Sequence, residues 1–135
     1  FTKALLEGSP LKVNNNGEMR RDFTFIDDIV RGVVACLDGP PADDGAVKAG
    51  GSRSPHAIYN IGNHSPAKLL DVIAILEQEL GQTATKNMLP MQMGDVPATY
   101  ADVEDLTRDT GFTPATPIEV GVGRFIAWYR EYYRM

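Results

Sequence analysis

Apolar positions along the chain fall into short runs that switch between period-two and period-3.6 spacing, the pattern of strands alternating with helices. Phe1, Ala4 and Leu5 share a helical face with no capping residue ahead of them, so the chain is expected to open inside a helix that Gly8 ends. Leu11 to Val13 reads as a short strand running into the turn-forming Asn14-Asn15-Asn16-Gly17. Phe23 and Phe25 alternate with polar neighbours as strand residues do, and Asp27 or Asp28 is placed to cap a helix from Ile29 to about Leu37. Ala57 to Ile61 predicts a buried strand. Ser65 as N-cap and Pro66 at the first helical position then predict a helix with Leu69, Ile73, Leu76 and Leu80 on one stripe before Gly81.

Lys86 to Leu89 and Ala98 to Ala101 read as extended, on either side of an irregular Pro90-Met91-Gln92-Met93-Gly94-Asp95-Val96-Pro97. Asp102 is expected to cap a short helix to about Thr110, closed by Gly111. Thr116-Pro117-Ile118-Glu119 has the spacing of a reciprocal capping box. Ile118, Val122, Phe125, Tyr129 and Tyr132 form the stripe of the last helix, expected to be core packing, with a dimer surface as the alternative. The fold class is α/β, with alternating short strands and helices.

Composition narrows this picture. At 135 residues and 43% hydrophobic content, the chain suits one ordinary core, hence one domain or part of one over 1–135. Gly39 to Pro55 is Gly, Pro, Asp, Ser and Ala with almost nothing to bury, and is expected to be a mobile surface excursion. Thirteen Lys and Arg against eighteen Asp and Glu give a net charge of −5, which opposes attraction to nucleic acid or an anionic membrane. No apolar run approaches the ~20 residues that span a bilayer, so the expected setting is soluble and cytoplasmic. The single Cys36 rules out an internal disulfide framework; with Ile29, Val33 and Leu37 at helical spacing it is expected to be a buried core thiol.

Much catalytic chemistry has no counterpart in these residues. No glycine-rich dinucleotide or phosphate loop follows a strand, and no tyrosine has a lysine four residues later. His56 and His64 lack acidic or thiol partners at ligand spacing, which favours surface or capping duty. Two segments do carry binding chemistry. Arg20-Arg21-Asp22-Phe23 sets guanidinium groups after a flexible turn, where a planar fork can make two parallel bonds to phosphate and Asp22 could hold one arginine in place. A solvated turn with a local ion pair is the competing reading. In Gln92-Met93-Gly94-Asp95-Val96-Pro97, glycine permits close backbone approach and Asp95 can accept from vicinal hydroxyls, or simply bond its own turn.

Arg21-Asp22-Phe23-Thr24-Phe25-Ile26-Asp27-Asp28, Tyr59-Asn60-Ile61-Gly62 and Gly94-Asp95-Val96-Pro97 with Ala101-Asp102 resemble the C-terminal part of extended short-chain dehydrogenases that act on nucleotide sugars. The run from Lys86 to Asp102, with Gly111-Phe112 and Pro114, resembles the UDP-glucuronate 4-epimerase branch more closely. The likeness covers nearly the whole chain outside Gly39 to Pro55. It implies a Rossmann-type enzyme whose N-terminal half holds NAD and the Tyr-x-x-x-Lys pair, while the part represented here holds the UDP-sugar. By position, Arg21 is implied as a pyrophosphate contact and Asp95 as the acid near the uridine ribose. Gln92 stands where the wider family often has a second pyrophosphate-binding arginine, and glutamine there fits the glucuronate branch. Asn14 stands where relatives usually carry an aromatic residue whose backbone pairs with uracil. The resemblance also implies that Phe23 to Leu37 and Ala57 to Ile61 pack against the N-terminal half, leaving apolar surface exposed without it. UDP-galactose 4-epimerase, nucleotide-sugar dehydratase and a stand-alone nucleotide-sugar binding module are the alternatives.

Overall fold

A computed structural model describes all residues from Phe1 to Met135. The chain forms two compact units, one of Phe1–Phe23, Pro66–Thr99 and Pro117–Met135, the other of Thr24–Ser65 and Tyr100–Thr116.

The first unit holds α1 (Thr2–Leu6), β1 (Leu11–Val13), a 3-10 turn (Asn14–Gly17), β2 (Arg20–Arg21), β3 (Ala67–Lys68), α3 (Leu69–Leu80), β4 (Lys86–Met88) and α5 (Ile118–Tyr133), the label α2 being kept for Ile26–Asp38 and α4 for Glu104–Thr110 in the second unit. β1 and β4 pair in parallel, Leu11 opposite Lys86 and Val13 opposite Met88. β2 runs antiparallel to β3 and bridges Ala98 on its other side, so two residues of β2 join three distant stretches of chain. Leu5, Leu11, Val13, Val72, Ile73, Leu76, Leu80, Val122 and Ile126 form the core. Each large aliphatic side chain buried there contributes roughly 1.5–3 kcal/mol.

β1, β4 and the glycine stop of α3 fall where the residue pattern puts them, and Gly81 closes α3 in the left-handed conformation at φ 68°. The start of α3 does not. Ser65 does not cap it and Pro66 is not its first residue, because Ala67–Lys68 is drawn out as β3 against β2. Leu69 N–H donates to the Met19 carbonyl at 2.8 Å, so a carbonyl just ahead of β2 replaces the serine cap. The capping box at the start of α5 is absent too: the N-cap is Pro117, without a side-chain cap bond. The buried row of α5 is Val122 and Ile126 with Gly121, and Ile118 is partly buried. Phe125 and Tyr132, expected in the core, are 38% and 66% exposed. They sit one step round the helix in an aromatic row, with Phe125 to Trp128 at 5.9 Å and Trp128 to Tyr132 at 5.2 Å between ring centres.

In the second unit α2 begins at Ile26, three residues before the expected start, with extended Phe25 as N-cap. Asp27 and Asp28 therefore lie inside the first turn, where their charge suits the helix dipole. Asp28 is buried and accepts from the N–H groups of Thr116 (2.9 Å) and Ala115 (3.3 Å). That carboxylate explains the missing capping box, since the Thr116 backbone is held by Asp28 instead. Burial pushes the Asp28 pKa up, but the Thr116 hydroxyl, the Thr116 and Ala115 N–H groups and the charge of Arg31 outweigh it and hold it below its ordinary value.

Cys36 is half-buried, not a core thiol, and its neighbours Val33 and Leu37 are exposed. Ile26, Val30 and Val34 are exposed on the same helix, in line with the apolar surface expected between Phe23 and Leu37. Neither Phe23 to Phe25 nor Ala57 to Ile61 joins a strand ladder. A strand exists only with a neighbour to take its backbone bonds, and Ile58, expected inside, is 62% exposed. The N-cap of α4 is Val103, without a side-chain cap bond, and Asp102 stands one residue earlier, its Oδ1 accepting from Glu104 N–H at 3.0 Å, while Gly111 closes that helix at φ 70°. Gly39 to Pro55 has no helix or strand and folds on itself, Lys48 Nζ reaching Asp44 at 2.5 Å and Arg53 the Gly45 carbonyl at 3.0 Å.

Candidate functional site

Asn14, Arg21, Gln92 and Asp95 all lie in the first unit, on two stretches that the paired strands bring side by side. The chain leaves β1 at Asn14 and turns through Asn15 and Asn16, both at φ 50°, a conformation asparagine tolerates better than most residues. Gly17 completes the turn at φ 81°, where a Cβ would fall 2.6 Å from the Leu70 side chain. Only glycine fits, and the turn feeds Arg21 into β2.

The opposing stretch is fixed at both ends by backbone bonds. Leu89 N–H donates to the Val13 carbonyl and Asn16 N–H to the Leu89 carbonyl, each at 2.9 Å; beyond the turn, Arg20 N–H donates to the Pro97 carbonyl at 2.9 Å and Thr99 N–H to the Arg20 carbonyl at 3.2 Å. Between these anchors, two side-chain links cross from one stretch to the other. Asn14 Nδ2 donates to Gln92 Oε1 at 3.2 Å, and Arg21 Nη2 meets Asp95 Oδ1 at 2.5 Å. All four sequence-predicted residues are thus drawn together as two interacting pairs.

Arg21 Nη1 also donates to the Arg20 carbonyl at 2.8 Å and reaches the Pro97 carbonyl at 3.4 Å. Asp95 Oδ1 additionally accepts from Val96 N–H at 2.8 Å. The pair is partly exposed, 24% and 31% for the two side chains, so its value is orientation more than stability: exposed pairs contribute only about 0–1 kcal/mol. Arg21 keeps its Nε–H edge and Asp95 its Oδ2 for a ligand, a charged donor beside a carboxylate acceptor. Such a clamp can hold an anionic group and a hydroxyl together.

The sequence offers Arg21 and Asp95 as separate contacts and Asp22 as the carboxylate steadying Arg21. The carboxylate against the guanidinium is that of Asp95, 74 positions away. Three further residues, with no site signal of their own in the sequence, line the pair. Met19 is buried with its sulfur 4.0 Å from Arg21 Nη2, Pro97 supplies a carbonyl, and Thr99 Oγ1 accepts from Asp22 N–H at 3.1 Å. The extended pattern of Ala98 to Ala101 was the available signal for Thr99; nothing marked Met19.

The second unit carries a different polar group. Tyr59 donates to Asp109 at 3.0 Å, and Arg108 joins Asp109 at 2.8 Å and Asp105. Burial and then the Asp109 carboxylate raise the Tyr59 pKa, while Arg108 holds Asp109 low. His64 is exposed, its Nε2 2.5 Å from the Tyr100 hydroxyl and its Nδ1 3.2 Å from the Ala101 carbonyl, consistent with surface duty.

Arg21 on β2 and Asp95 in the stretch after β4 thus bring a cationic fork and a carboxylate together. The model of the NAD dependent epimerase/dehydratase family matches residues 1–62. The chain is 44% identical over 99% of its length to protein CapI of Staphylococcus aureus, covering 42% of that protein, and 40% identical over 99% of its length to a probable UDP-glucuronate 4-epimerase of Rhizobium meliloti, covering 41%. The chain thus spans about 42% of the length of the first curated relatives it matches. Among solved structures, UDP-glucuronic acid 4-epimerase from Bacillus cereus in complex with UDP-glucuronic acid and NAD superposes with a TM-score of 0.81 at 30% identity, over 98% of this chain and 38% of that one. The fold is that of the C-terminal part of a Rossmann-type epimerase.

Proposed function

We propose that the chain is the UDP-sugar-binding part of an NAD-dependent UDP-glucuronate 4-epimerase, which interconverts UDP-glucuronate and UDP-galacturonate by oxidation and re-reduction at C4. The observation that carries this reading is the Arg21–Asp95 clamp, in a chain similar along nearly its whole length to a probable UDP-glucuronate 4-epimerase. In this reading the Arg21 guanidinium binds the pyrophosphate through its remaining N–H groups, and Asp95 Oδ2 accepts from the uridine ribose. Asn14 lends its backbone to the base. Hydride chemistry belongs to NAD, held by the N-terminal Rossmann half, which also supplies the proton-transferring Tyr-x-x-x-Lys; the residues present here bind and orient.

The same reading makes the enzyme a cytoplasmic source of uronic-acid precursors for polysaccharide synthesis. No helix of the structure is long and apolar enough to cross a membrane. The exposed aromatic row of α5 is the surface we assign to a homodimer.

The test is turnover by the full-length protein supplied with UDP-glucuronate and NAD, read as UDP-galacturonate by chromatography or proton NMR. Turnover of UDP-glucose or UDP-galactose in its place would move the substrate assignment, and no turnover of any UDP-sugar would sink the proposal. Arg21→Ala is expected to weaken UDP binding about 10- to 100-fold, the range for losing a charged hydrogen-bond donor.

A further inference from the structure

Residues 90–96 lie between the backbone anchors at Leu89 and Pro97, and most of them are exposed, Met93 completely. Asp95 must nevertheless be presented accurately if it is to hold a ribose. Arg21 and Val96 N–H hold its carboxylate, and its backbone is held by a turn in which Asp95 N–H donates to the Gln92 carbonyl at 3.2 Å, so the place of Gln92 bears on the place of Asp95. The Gln92 side chain in turn accepts from Asn14 Nδ2 at 3.2 Å, and Asn14 is the first residue after β1, part of the paired framework.

We infer that Gln92 is a positioning residue. It tethers the 92–95 turn to the strand framework through Asn14, and does not itself bind the pyrophosphate. The inference rests on the reading of the site as one for a UDP-sugar. Two features argue for it. The Gln92 Oε1 acceptor is already engaged by a framework donor, and a neutral amide can share that bond with Asn14 while leaving the charge beside Arg21 unchanged. An arginine at this position has no acceptor to offer Asn14 Nδ2, so an arginine there and the glutamine here perform different tasks.

The consequence is that Asn14 and Gln92 act as one unit, and residues that act through one shared bond give non-additive effects. The experiment uses the full-length protein with Asn14→Ala, Gln92→Ala, both together, and Gln92→Glu, which keeps the acceptor. The first readout needs no ligand: amide hydrogen exchange at Asp95 and Val96 is expected to quicken about 2- to 10-fold in either single variant, the equivalent of one hydrogen bond, with no further gain in the double variant and near wild-type exchange in Gln92→Glu. The second readout compares UDP with uridine by calorimetry and NMR titration. A tether predicts that Gln92→Ala weakens both by the same factor, because uridine retains the ribose that Asp95 meets. Loss for UDP alone, with additive effects of the two alanines, would make Gln92 a direct phosphate contact and overturn the inference. Unchanged exchange would also overturn it, even where UDP binds. Failure of the wild-type protein to bind either ligand would instead strike the proposed function, while the exchange readout still decides whether the tether exists.

Discussion

The two units solve the same problem by different means. The first hides Leu11, Val13 and Ile73 almost completely, and a continuous aliphatic core joins α1, β1, α3 and α5. The second has Leu106 as its only large side chain so fully hidden, and leaves Ile26, Val30, Val33, Val34 and Leu37 of α2 in the open. Polar straps serve where apolar contacts are few: Asp28 on the 115–116 backbone, Tyr59 on Asp109, and the Asn60 amide on the Asp102 carbonyl at 3.3 Å. The lesson is that the Arg21–Asp95 pair is mounted on the unit with the better core, where a framework of buried side chains holds donor and acceptor positions steady.

The contrast can be broken experimentally, and the largest effect belongs to the first core. Ile73→Ala in the full-length protein is expected to cost about 2–5 kcal/mol in denaturant unfolding, from lost transfer energy and the cavity left behind. A loss below about 1 kcal/mol would mean that the core tolerates the cavity by collapse, and the distinction between the units would weaken.

Asp28→Ala is expected to cost about 1–3 kcal/mol, because two N–H groups lose a buried acceptor. The strap also has a pH signature. The folded-state pKa of Asp28 is depressed from its ordinary 3.8, so its contribution is present above that value and is lost as pH falls through the lower folded value. Glu77 behaves alike: the Lys86 ammonium and the Ala84 N–H depress it from 4.5, placing its loss below that pH. Unfolding midpoints should therefore decline below about pH 4.5, and Asp28→Asn should flatten the lower part of that decline. An identical acid profile in the variant would remove Asp28 from the account.

The smallest expected effect sharpens the comparison most. Val33→Ser in the 135-residue chain should change stability by no more than about 0.5 kcal/mol, as at other exposed sites. A loss approaching that of Ile73→Ala would show that something covers this face of α2 in solution.

Where elements were legible in the sequence, local chemistry and tertiary structure agreed. Gly81 and Gly111 stop helices because the left-handed conformation is needed there, and Asp102 bonds the first N–H of α4 from one residue ahead of its N-cap. Where reading failed, a distant partner had taken the group in question. Lys68 is spent on β3 instead of a helix turn, and the Thr116 backbone is claimed by Asp28 instead of a capping box. Ala57 to Ile61 has the composition of a strand, but a single bond from Ile58 N–H to the Ala49 carbonyl at 3.1 Å does not extend into a ladder. The site was legible as residue types and not as geometry: Arg21 and Asp95 each suggested ligand chemistry, but no local pattern says that they meet.

The pairing of β1 with β4 has a kinetic consequence. Asn14 and Gln92 are 78 positions apart and Arg21 and Asp95 are 74 apart, so neither link can form until the intervening chain has looped back and most of its closure entropy has been lost. Helices such as α3 can gain structure from contacts a few residues apart, long before that closure. The clamp is therefore a late product of folding, and one of the first places from which order is lost when the chain begins to open.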